Sequence, residues 1–561
     1  MADLAVRGGS VINGTGAPAV RADIGITDGH IVEIGDRVTA AEEIDATGRL
    51  VTPGFLDIHT HYDPQVLWDP GLTPSSWHGV TGVVAGNCGY SIAPTRAAGR
   101  GTLLRVLDKV EDMRVATLEA GIIWDFETYP QYLDAVSRRG TLINFGGYVG
   151  HTPVRLYVMG EQAYERPATD EEIGAMVDLV ADSIRGGALG FSTDRAGYHL
   201  GDGGRPVPSM VASPAETEAL IRVTAQIGRG TVHVAAGEDY GWVYTLQREL
   251  GRPINRSSIL TYPPEAGSQR SHWDKLADHE GQRRDGVDVW VQVSCRPIEQ
   301  ELLMNEPTAF YVMPAFAEFV ALDGEGRARL YGDRGWRARV QQDLDRSGLL
   351  NSRWAHTHVV ESPAHVGLVG RTIGDIADQR HCSPFDALCD LAVEDGLATR
   401  IRMTFANDDV DAVTRLLQGE GCILGLSDAG AHVNQICDAV MPTDFLANWV
   451  RDREVMTVEQ GVRKLTGEIA DVLELDRGYL RVGAPADVVV VDYQALSPGP
   501  IRRVHDFPAG GERLVADQPA GIDYVLVNGV PIRWEGEPAP DAFDVMPGAI
   551  LCSQSQSSRV A

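Results

Sequence analysis

Two histidines separated by one residue, His59 and His61 in the segment HTHYD, are the pair best suited to chemistry in this sequence. They end an apolar segment, LVTPGFLDI, whose pattern predicts a β-strand. Side chains two residues apart in a strand point to the same side, so both imidazoles should face one direction. Two converging imidazoles form half of a metal site. The alternative is a pair that is hydrogen-bonded within a polar layer of the core.

Two further residues occupy similar positions at the ends of apolar segments. Cys88 lies in GVTGVVAGNCGYS, and a thiolate there would be a soft ligand able to bridge two metals. Asp428 lies in GCILGLSDAGAH, where a carboxylate could contact a metal and transfer a proton as general acid and base. The alternatives are a small buried thiol for Cys88 and a helix N-cap for Asp428.

Weaker candidates also follow apolar segments directly. His233 in TVHVAAG and Cys295 in VQVSCRPI are predicted metal ligands, although a lone histidine or cysteine commonly belongs to the core. Polar and cationic side chains at the same ends suit a substrate carboxylate, which a guanidinium group matches in shape. The residues predicted to bind substrate on this basis are Arg296, His151, Arg155 and Arg195. A second HxH pair comprises His356 and His358.

The elements that must position these residues are eight short apolar segments, which alternate with helical patterns such as residues 170–187 and 213–228. The predicted strands are 50–59, 79–88, 141–150, 187–193, 229–236, 288–295, 353–360 and 421–428. Strands that alternate with helices predict a parallel sheet in an α/β fold. Eight such units predict a (β/α)8 TIM barrel, whose active site lies at the carboxyl ends of the strands.

Both ends of the chain show a different pattern of short alternating strands and Gly- and Asp-rich turns. Because chain termini often lie close together, we expect residues 1–56 and 479–545 to form one composite β-sandwich domain. The barrel would occupy residues 57–478, with insertions at about 264–350 that cover its mouth. Residues 546–561 would be a C-terminal tail.

Charge and composition exclude several classes of function. The 561 residues carry a net charge of −29, which disfavours binding to a nucleic-acid backbone. No apolar run approaches eighteen residues, so no membrane span is expected. Seven cysteines without a disulfide spacing, and no signal-peptide pattern, predict a reduced cytoplasmic protein. A small-molecule substrate is expected, and a homo-oligomer is left open.

Taken together, the segments PGFLDIHTHYD, GVTGVVAGNCG, GALGFST, GLSDAGAH and DRGYLRVGAPADVVVVD resemble the amidohydrolase superfamily. They are most similar to its D-aminoacylase, or N-acyl-D-amino-acid deacylase, branch. The resemblance implies one tightly bound Zn²⁺ with a second, weaker site left open. It implies that His59, His61, Cys88, His233 and Asp428 surround the metal. Asp428 would act as the acid and base while a metal-bound hydroxide attacks a linear amide.

The sequence departs from that family at the predicted sixth strand. D-aminoacylases have a histidine there followed by a basic residue, whereas this chain reads VSCRP. Cys295 would then replace the histidine as a ligand, and Arg296 would bind the substrate carboxylate. The resemblance predicts an N-acyl-D-amino acid substrate. One alternative is a cyclic-amide hydrolase of the hydantoinase or dihydroorotase kind, although no lysine lies on the third or fourth predicted strand. The other is an inactive barrel that serves as a binding protein.

Overall fold

Eight parallel strands form the centre of the computed structural model, which describes residues 1–197, 199–201, 204–266 and 270–554. Their order in the sheet follows the chain, and an isolated parallel bridge between Thr60 and Ala429 links the segments after the first and last strands. The curved α/β sheet is consistent with a TIM-type barrel. The strands are Phe55–Asp57, Val80–Ala85, Asn144–Gly150, Gly190–Asp194, Thr231–Ala235, Ile254–Ser257, Val289–Val293 and Cys422–Leu424.

Seven of the eight predicted strands contribute to this sheet, but the assignment of the strand predicted at 353–360 to the barrel is wrong. Thr357–Glu361 pairs antiparallel with Arg400–Ala406 in a separate sheet. The sixth parallel strand is instead Ile254–Ser257, whose residues INRS are all buried although three of the four are polar. A strand with one apolar residue gives no hydrophobic periodicity, so the sequence pattern could not reveal it. Consequently Val289–Val293, which precedes Cys295, is the seventh strand.

Helices connect the parallel strands, and both helices predicted from the sequence are confirmed. Asp170–Arg185 begins with a capping box at Thr169, and Pro214–Ile227 begins at Ser213, whose hydroxyl accepts from the Glu216 amide. The other helices of seven or more residues around this sheet are Arg100–Val110, Val115–Gly121, Tyr129–Arg139, His151–Met159, Gly241–Leu250, His272–Arg284, Val410–Leu417, Phe445–Asp452 (a π-helix), Val458–Leu465 and Gly467–Leu473. Shorter helices are Pro208–Val211, Met441–Asp444 and Ala542–Val545.

Strands from the two chain ends form one nine-stranded sheet. The central pairing joins Leu50–Pro53 to Val488–Val491 in antiparallel register. The remaining strands are Ala2–Val11, Val20–Thr27, His30–Gly35, Ala40–Asp45, Ile522–Val527, Val530–Trp534 and Glu537–Pro538. A two-stranded sheet, Ile501–Phe507 with Gly511–Ala516, lies between them in the chain.

Residues 546–554 of the predicted C-terminal tail pack against the parallel sheet. The Phe145 amide donates to the Ala549 carbonyl at 2.9 Å, and the Leu551 side chain is buried. Residues 555–561 lie outside the described part. No helix in the described part of the chain has the length and apolar character needed to cross a bilayer.

A large unit is inserted between the seventh and eighth parallel strands. It contains the antiparallel strands Ile298–Leu303, Thr357–Glu361 and Arg400–Ala406, and a hydrophobic cluster of its own. It therefore extends to residue 406, beyond the predicted limit of 350. The first part of the predicted insertion, residues 264–286, contains instead the helix His272–Arg284 that follows the sixth strand. The insertion's helices are Ala317–Val320, Gly324–Tyr331, Arg334–Arg346, Gly348–Asn351, Ile373–Arg380 and Pro384–Glu394.

Trp336 lies at the centre of the inserted unit's cluster, where it is completely buried and packs against Phe316 and Phe385. We expect Trp336→Ala to lower the free energy of unfolding of this unit by about 3–5 kcal/mol, because a large cavity remains. Trp273, which is 47% exposed, provides the control, and Trp273→Ala should change stability by less than about 0.5 kcal/mol. Urea unfolding followed by hydrogen exchange measures both. Equal losses in the two variants would contradict a separate packed core.

Candidate functional site

His59 and His61 follow the first parallel strand and point into one buried site. The His61 amide donates to the Ala429 carbonyl at 2.7 Å, which fixes this segment against the segment after the eighth strand. The two ring centroids lie 5.4 Å apart. Ligand atoms of His59, His61 and Cys88 lie within 4.8 Å of one another. Both imidazoles therefore face the same site, which is the common direction that the HTH motif predicts.

Cys88 sits in a tight turn after the second strand, and its own φ is +54°. Gly86, at φ +74°, approaches the third strand so closely that a Cβ there would lie 2.2 Å from the Tyr148 carbonyl oxygen. Only glycine fits this position. The turn directs the Cys88 Sγ to within 3.5 Å of His59 Nε2 and 4.0 Å of His233 Nε2.

Asp428 follows the eighth strand with a left-handed φ of +47°. The preceding residue anchors the turn, because the Ser427 hydroxyl lies 2.6 Å from Asp57 Oδ2 and 3.0 Å from the His59 carbonyl oxygen. Asp428 Oδ1 lies 3.1 Å from His59 Nε2 and 3.7 Å from His61 Nε2. Its side chain remains 27% exposed, so one carboxylate can contact both the histidines and solvent.

Each of the three histidines has its Nδ1 against a side-chain oxygen that the sequence did not reveal. His59 Nδ1 lies 2.6 Å from Gln292 Oε1, and His233 Nδ1 lies 2.6 Å from Asn255 Oδ1. His61 Nδ1 lies 3.4 Å from Glu111 Oε1. The Nε2 atoms therefore face Cys88 and Asp428, an orientation typical of metal-binding histidines with outer partners.

Only the alternation of WVQV could have identified Gln292. Asn255 lies on the strand that the pattern missed, and Glu111 follows the helix Arg100–Val110 without any distinctive motif. The amide of His432, a residue close to Asp428 in the chain, donates to the Glu111 carbonyl at 2.7 Å, so Glu111 is joined to the segment after the eighth strand.

Burial governs the charge of these groups. It lowers the pKa of His61 to about 4 and that of His233 to about 3, with His59 adding to the second shift. Both imidazoles are therefore neutral, as metal ligands must be. Burial also raises the pKa of the Cys88 thiol and of the Glu111 carboxyl well above their usual values. A bound divalent cation would reverse the shift at a coordinating thiol. The donor set of imidazoles, thiolate and carboxylate suits zinc.

Cys295 does not join this group among the residues that the structure describes. It follows the seventh strand, not the sixth, and its Sγ lies 3.9 Å from both the Met441 carbonyl oxygen and Asp444 Oδ2. The sixth strand ends at Ser257, whose side chain faces Cys88 and partly opposes the effect of burial on the pKa of that thiol. Cys295 therefore does not lie where the expected histidine of the sixth strand would be. The prediction assigned Cys295 to the sixth strand because the strand Ile254–Ser257 was not predicted.

The residues predicted to bind substrate are engaged by other protein groups to different degrees. Arg155 is completely buried and forms an ion pair with Glu216, whose carboxylate also lies 3.1 Å from His151 Nε2. Arg195 donates to the carbonyls of Ser209 and Ala212.

Arg296 lies at the end of the seventh strand, with its Nε 3.0 Å from Asp438 and its Nη1 3.2 Å from Asp444. Its side chain is 18% exposed. Asp438 and Asp428 line the same small cavity. Arg296 therefore approaches this cavity through its ion pair with Asp438.

His356 and His358 lie in the inserted unit, away from the parallel strand ends. His356 Nδ1 is 3.6 Å from Asp408, and His358 is an exposed residue of the antiparallel strand. The second HxH pair has the spacing of the first but belongs to another sheet, so it does not complete the site.

Arg155→Met should act on stability because it leaves the Glu216 carboxylate buried without its cation. We expect the free energy of unfolding to fall by about 3–5 kcal/mol, measured by thermal and urea denaturation. Arg195→Met provides the control, since that partly exposed side chain donates to the Ser209 and Ala212 carbonyls rather than to a buried carboxylate, and it should cost about 1–3 kcal/mol or less. Equal stability of wild type and Arg155→Met would contradict a structural ion pair.

The chain is similar in sequence and in fold to known deacylases. The N-acyl-D-glutamate deacylase of Alcaligenes xylosoxydans xylosoxydans is 29% identical over 564 residues, which cover 98% of this chain and 96% of that protein. The crystal structure of N-acyl-D-glutamate deacylase from Bordetella bronchiseptica, complexed with zinc and a phosphonate inhibitor, is 28% identical with a TM-score of 0.67, over 98% of this chain and 99% of that chain.

A structure of D-aminoacylase, described as having a binuclear metal centre, is 25% identical with a TM-score of 0.68, over 98% of this chain and 100% of that chain. The model of the amidohydrolase family matches residues 42–533, which is most of the sequence. On the strength of that match, the chain belongs to the amidohydrolase family.

Proposed function

We propose that this amidohydrolase uses zinc to hydrolyse the linear amide bond of an N-acyl-D-amino acid. The observation that carries the proposal is the convergence of three imidazoles, one thiol and one carboxylate at the carboxyl ends of the parallel strands. Active sites of barrel enzymes lie at that end. The activities named for the two similar deacylases supply the substrate class.

His59, His61, Cys88, His233 and Asp428 would hold the metal, and we propose one zinc per chain. Zinc in such a site polarises a carbonyl group and lowers the pKa of water. The sixth strand supports the single-metal proposal, because Ser257 and Asn255 offer neither an imidazole nor a thiolate there. Cys295 is directed elsewhere, as described above.

Asp428 is proposed as the acid and base. Burial opposes its ionisation, but His59 and His61 hold the pKa of this carboxyl well below its usual value. It is therefore ionised at neutral pH and can accept a proton. Because its side chain reaches solvent, it can take a proton from water and return it to the departing nitrogen.

Arg296 is proposed to bind the substrate carboxylate. Burial opposes its charge, yet Asp438 and Asp444 raise its pKa above the ordinary value, so the guanidinium is permanently charged and held in one place. His151, Arg155 and Arg195 contact Glu216 or backbone carbonyls, just as Arg296 contacts two aspartates. Arg296 is preferred because one of its partners, Asp438, lines the same cavity as Asp428.

The finer architecture stays a proposal as well. The bridge between Thr60 and Ala429 supports a closed (β/α)8 barrel over residues 57–478. The nine-stranded sheet supports a β-sandwich domain built from residues 1–56 and 479–545. A cytoplasmic location remains a prediction from the cysteine content.

Two matched cysteine variants test the function. Wild type should contain about one zinc per chain by elemental analysis and hydrolyse N-acyl-D-amino acids in preference to their L-enantiomers. Cys88→Ser should lose the zinc and reduce kcat/KM by more than about 100-fold. Loss of a residue that only contacts a metal ligand typically costs about 10–100-fold, so a larger loss indicates a ligand. Cys295→Ser should retain both the zinc and the activity, because Cys295 lies outside the ligand group.

Several results would contradict the proposal. A metal-replete wild type that binds no zinc and hydrolyses no amide would favour the inactive-barrel alternative. Hydrolysis of cyclic amides in preference to linear ones would favour the hydantoinase-like alternative. Zinc loss in Cys295→Ser would return that residue to the ligand set.

A further inference from the structure

Behind the histidines lies a buried row of polar side chains that no step of the proposed reaction uses. Gln292, Asn255 and Tyr148 come from the seventh, sixth and third parallel strands, and all three are fully buried. We propose that Gln292 and Asn255 are positioning residues that form a directional amide relay. This relay keeps a proton on Nδ1 of both His59 and His233, so that Nε2 is the nitrogen that would bind zinc. The inference rests on the proposed zinc site.

The direction of the relay is set by a backbone carbonyl. Asn255 Nδ2 lies 3.3 Å from the Val232 carbonyl oxygen, and this oxygen can only accept a hydrogen bond. The same Nδ2 lies 3.0 Å from the Tyr148 hydroxyl. The nitrogen end of the Asn255 amide must therefore face Val232, so its Oδ1 must face the opposite direction.

The orientation of the Asn255 amide determines which ring nitrogen carries the proton in both histidines. Asn255 Oδ1 is an acceptor 2.6 Å from His233 Nδ1, so that nitrogen must carry the proton. The same oxygen lies 3.0 Å from Gln292 Nε2, which fixes the nitrogen end of the second amide. Gln292 Oε1 therefore faces His59 Nδ1 at 2.6 Å, and this nitrogen is protonated too.

The consequence appears on the opposite side of each ring. A neutral imidazole with its proton on Nδ1 has a lone pair on Nε2. The two Nε2 atoms lie 3.5 Å and 4.0 Å from Cys88 Sγ, on the side where the ligands converge. If Asn255 were reversed, its N–H group would meet His233 Nδ1, and the proton would move to the nitrogen that faces the metal. One amide orientation thus serves two ligands.

His61 does not take part in the relay. Its Nδ1 faces Glu111, which comes from the other side of the site. The relay therefore predicts that changes at Asn255 and Gln292 affect zinc binding jointly. An ordinary core role would predict effects on stability alone.

The test measures the zinc dissociation constant by competition with a chelator, on metal-free protein whose fold is checked by circular dichroism. Gln292→Met and Asn255→Leu should each weaken zinc binding by about 10–100-fold. The double variant should be weaker by less than the product of the two factors, because each residue acts through the other. Gln247→Met is the matched control: Gln247 is a buried glutamine that donates to the Arg252 carbonyl and accepts from the Asp288 amide, and its loss should leave zinc affinity unchanged.

Gln292→Glu provides a second, size-matched variant that decides the question if the methionine variant fails to fold. At pH 8 its carboxylate still accepts a hydrogen bond from His59 Nδ1. It has no N–H group to donate to Asn255 Oδ1 and repels that oxygen, so the relay predicts weaker zinc binding. A simple outer partner would predict equal or tighter binding, because carboxylates are effective partners of ligand histidines.

The outcomes separate the two proposals. Wild type that binds no zinc overturns the proposed function. Wild type that binds zinc, with Gln292→Met, Asn255→Leu and Gln292→Glu binding it as tightly, overturns the relay alone. Strictly additive losses in the double variant would also overturn it, since two independent partners behave in that way.

Discussion

Three imidazoles, a thiol and two carboxyl groups share one buried volume in this protein, and a stable site depends on a partner that compensates for their burial. Burial holds His61 and His233 neutral and keeps the Cys88 thiol protonated. A divalent cation is the partner that suits all of these groups simultaneously, because thiolates and carboxylates gain most from its charge. The surrounding structure positions donors for that cation and leaves one carboxylate, Asp428, partly open to solvent.

The parallel sheet satisfies this requirement by bringing distant strand ends together. Asp57, Ser427 and the His59 carbonyl form hydrogen bonds that fasten the first strand to the turn bearing Asp428. The close approach of Gly86 to the third strand turns Cys88 inward. Such contacts fix the side chains that we propose as ligands, so little ordering would be required on metal binding.

The apolar side chains of the inserted unit pack in a core of their own, apart from the candidate site. The unit has its own aromatic cluster and three antiparallel strands, and its HxH pair remains outside the site. The arginines are divided in the same manner. Arg155 neutralises a buried carboxylate within the fold, whereas Arg296 is held between two aspartates next to the cavity that Asp428 lines.

The sequence by itself determined the strands that position His59, Cys88, His233 and Asp428. His233 lies within an apolar strand, and the other three follow one. It could not identify the sixth strand, INRS, since burial there depends on polar partners from other strands rather than on apolar residues.

The tertiary structure alone decided which residues hold the histidines. Gln292 contacts His59 from 233 positions away in the sequence, and Glu111, which follows the helix Arg100–Val110, contacts His61. The partners of Arg155 and Cys295 likewise come from segments distant in the sequence. A charged or polar side chain is defined by its partner, and only the folded chain brings partners together.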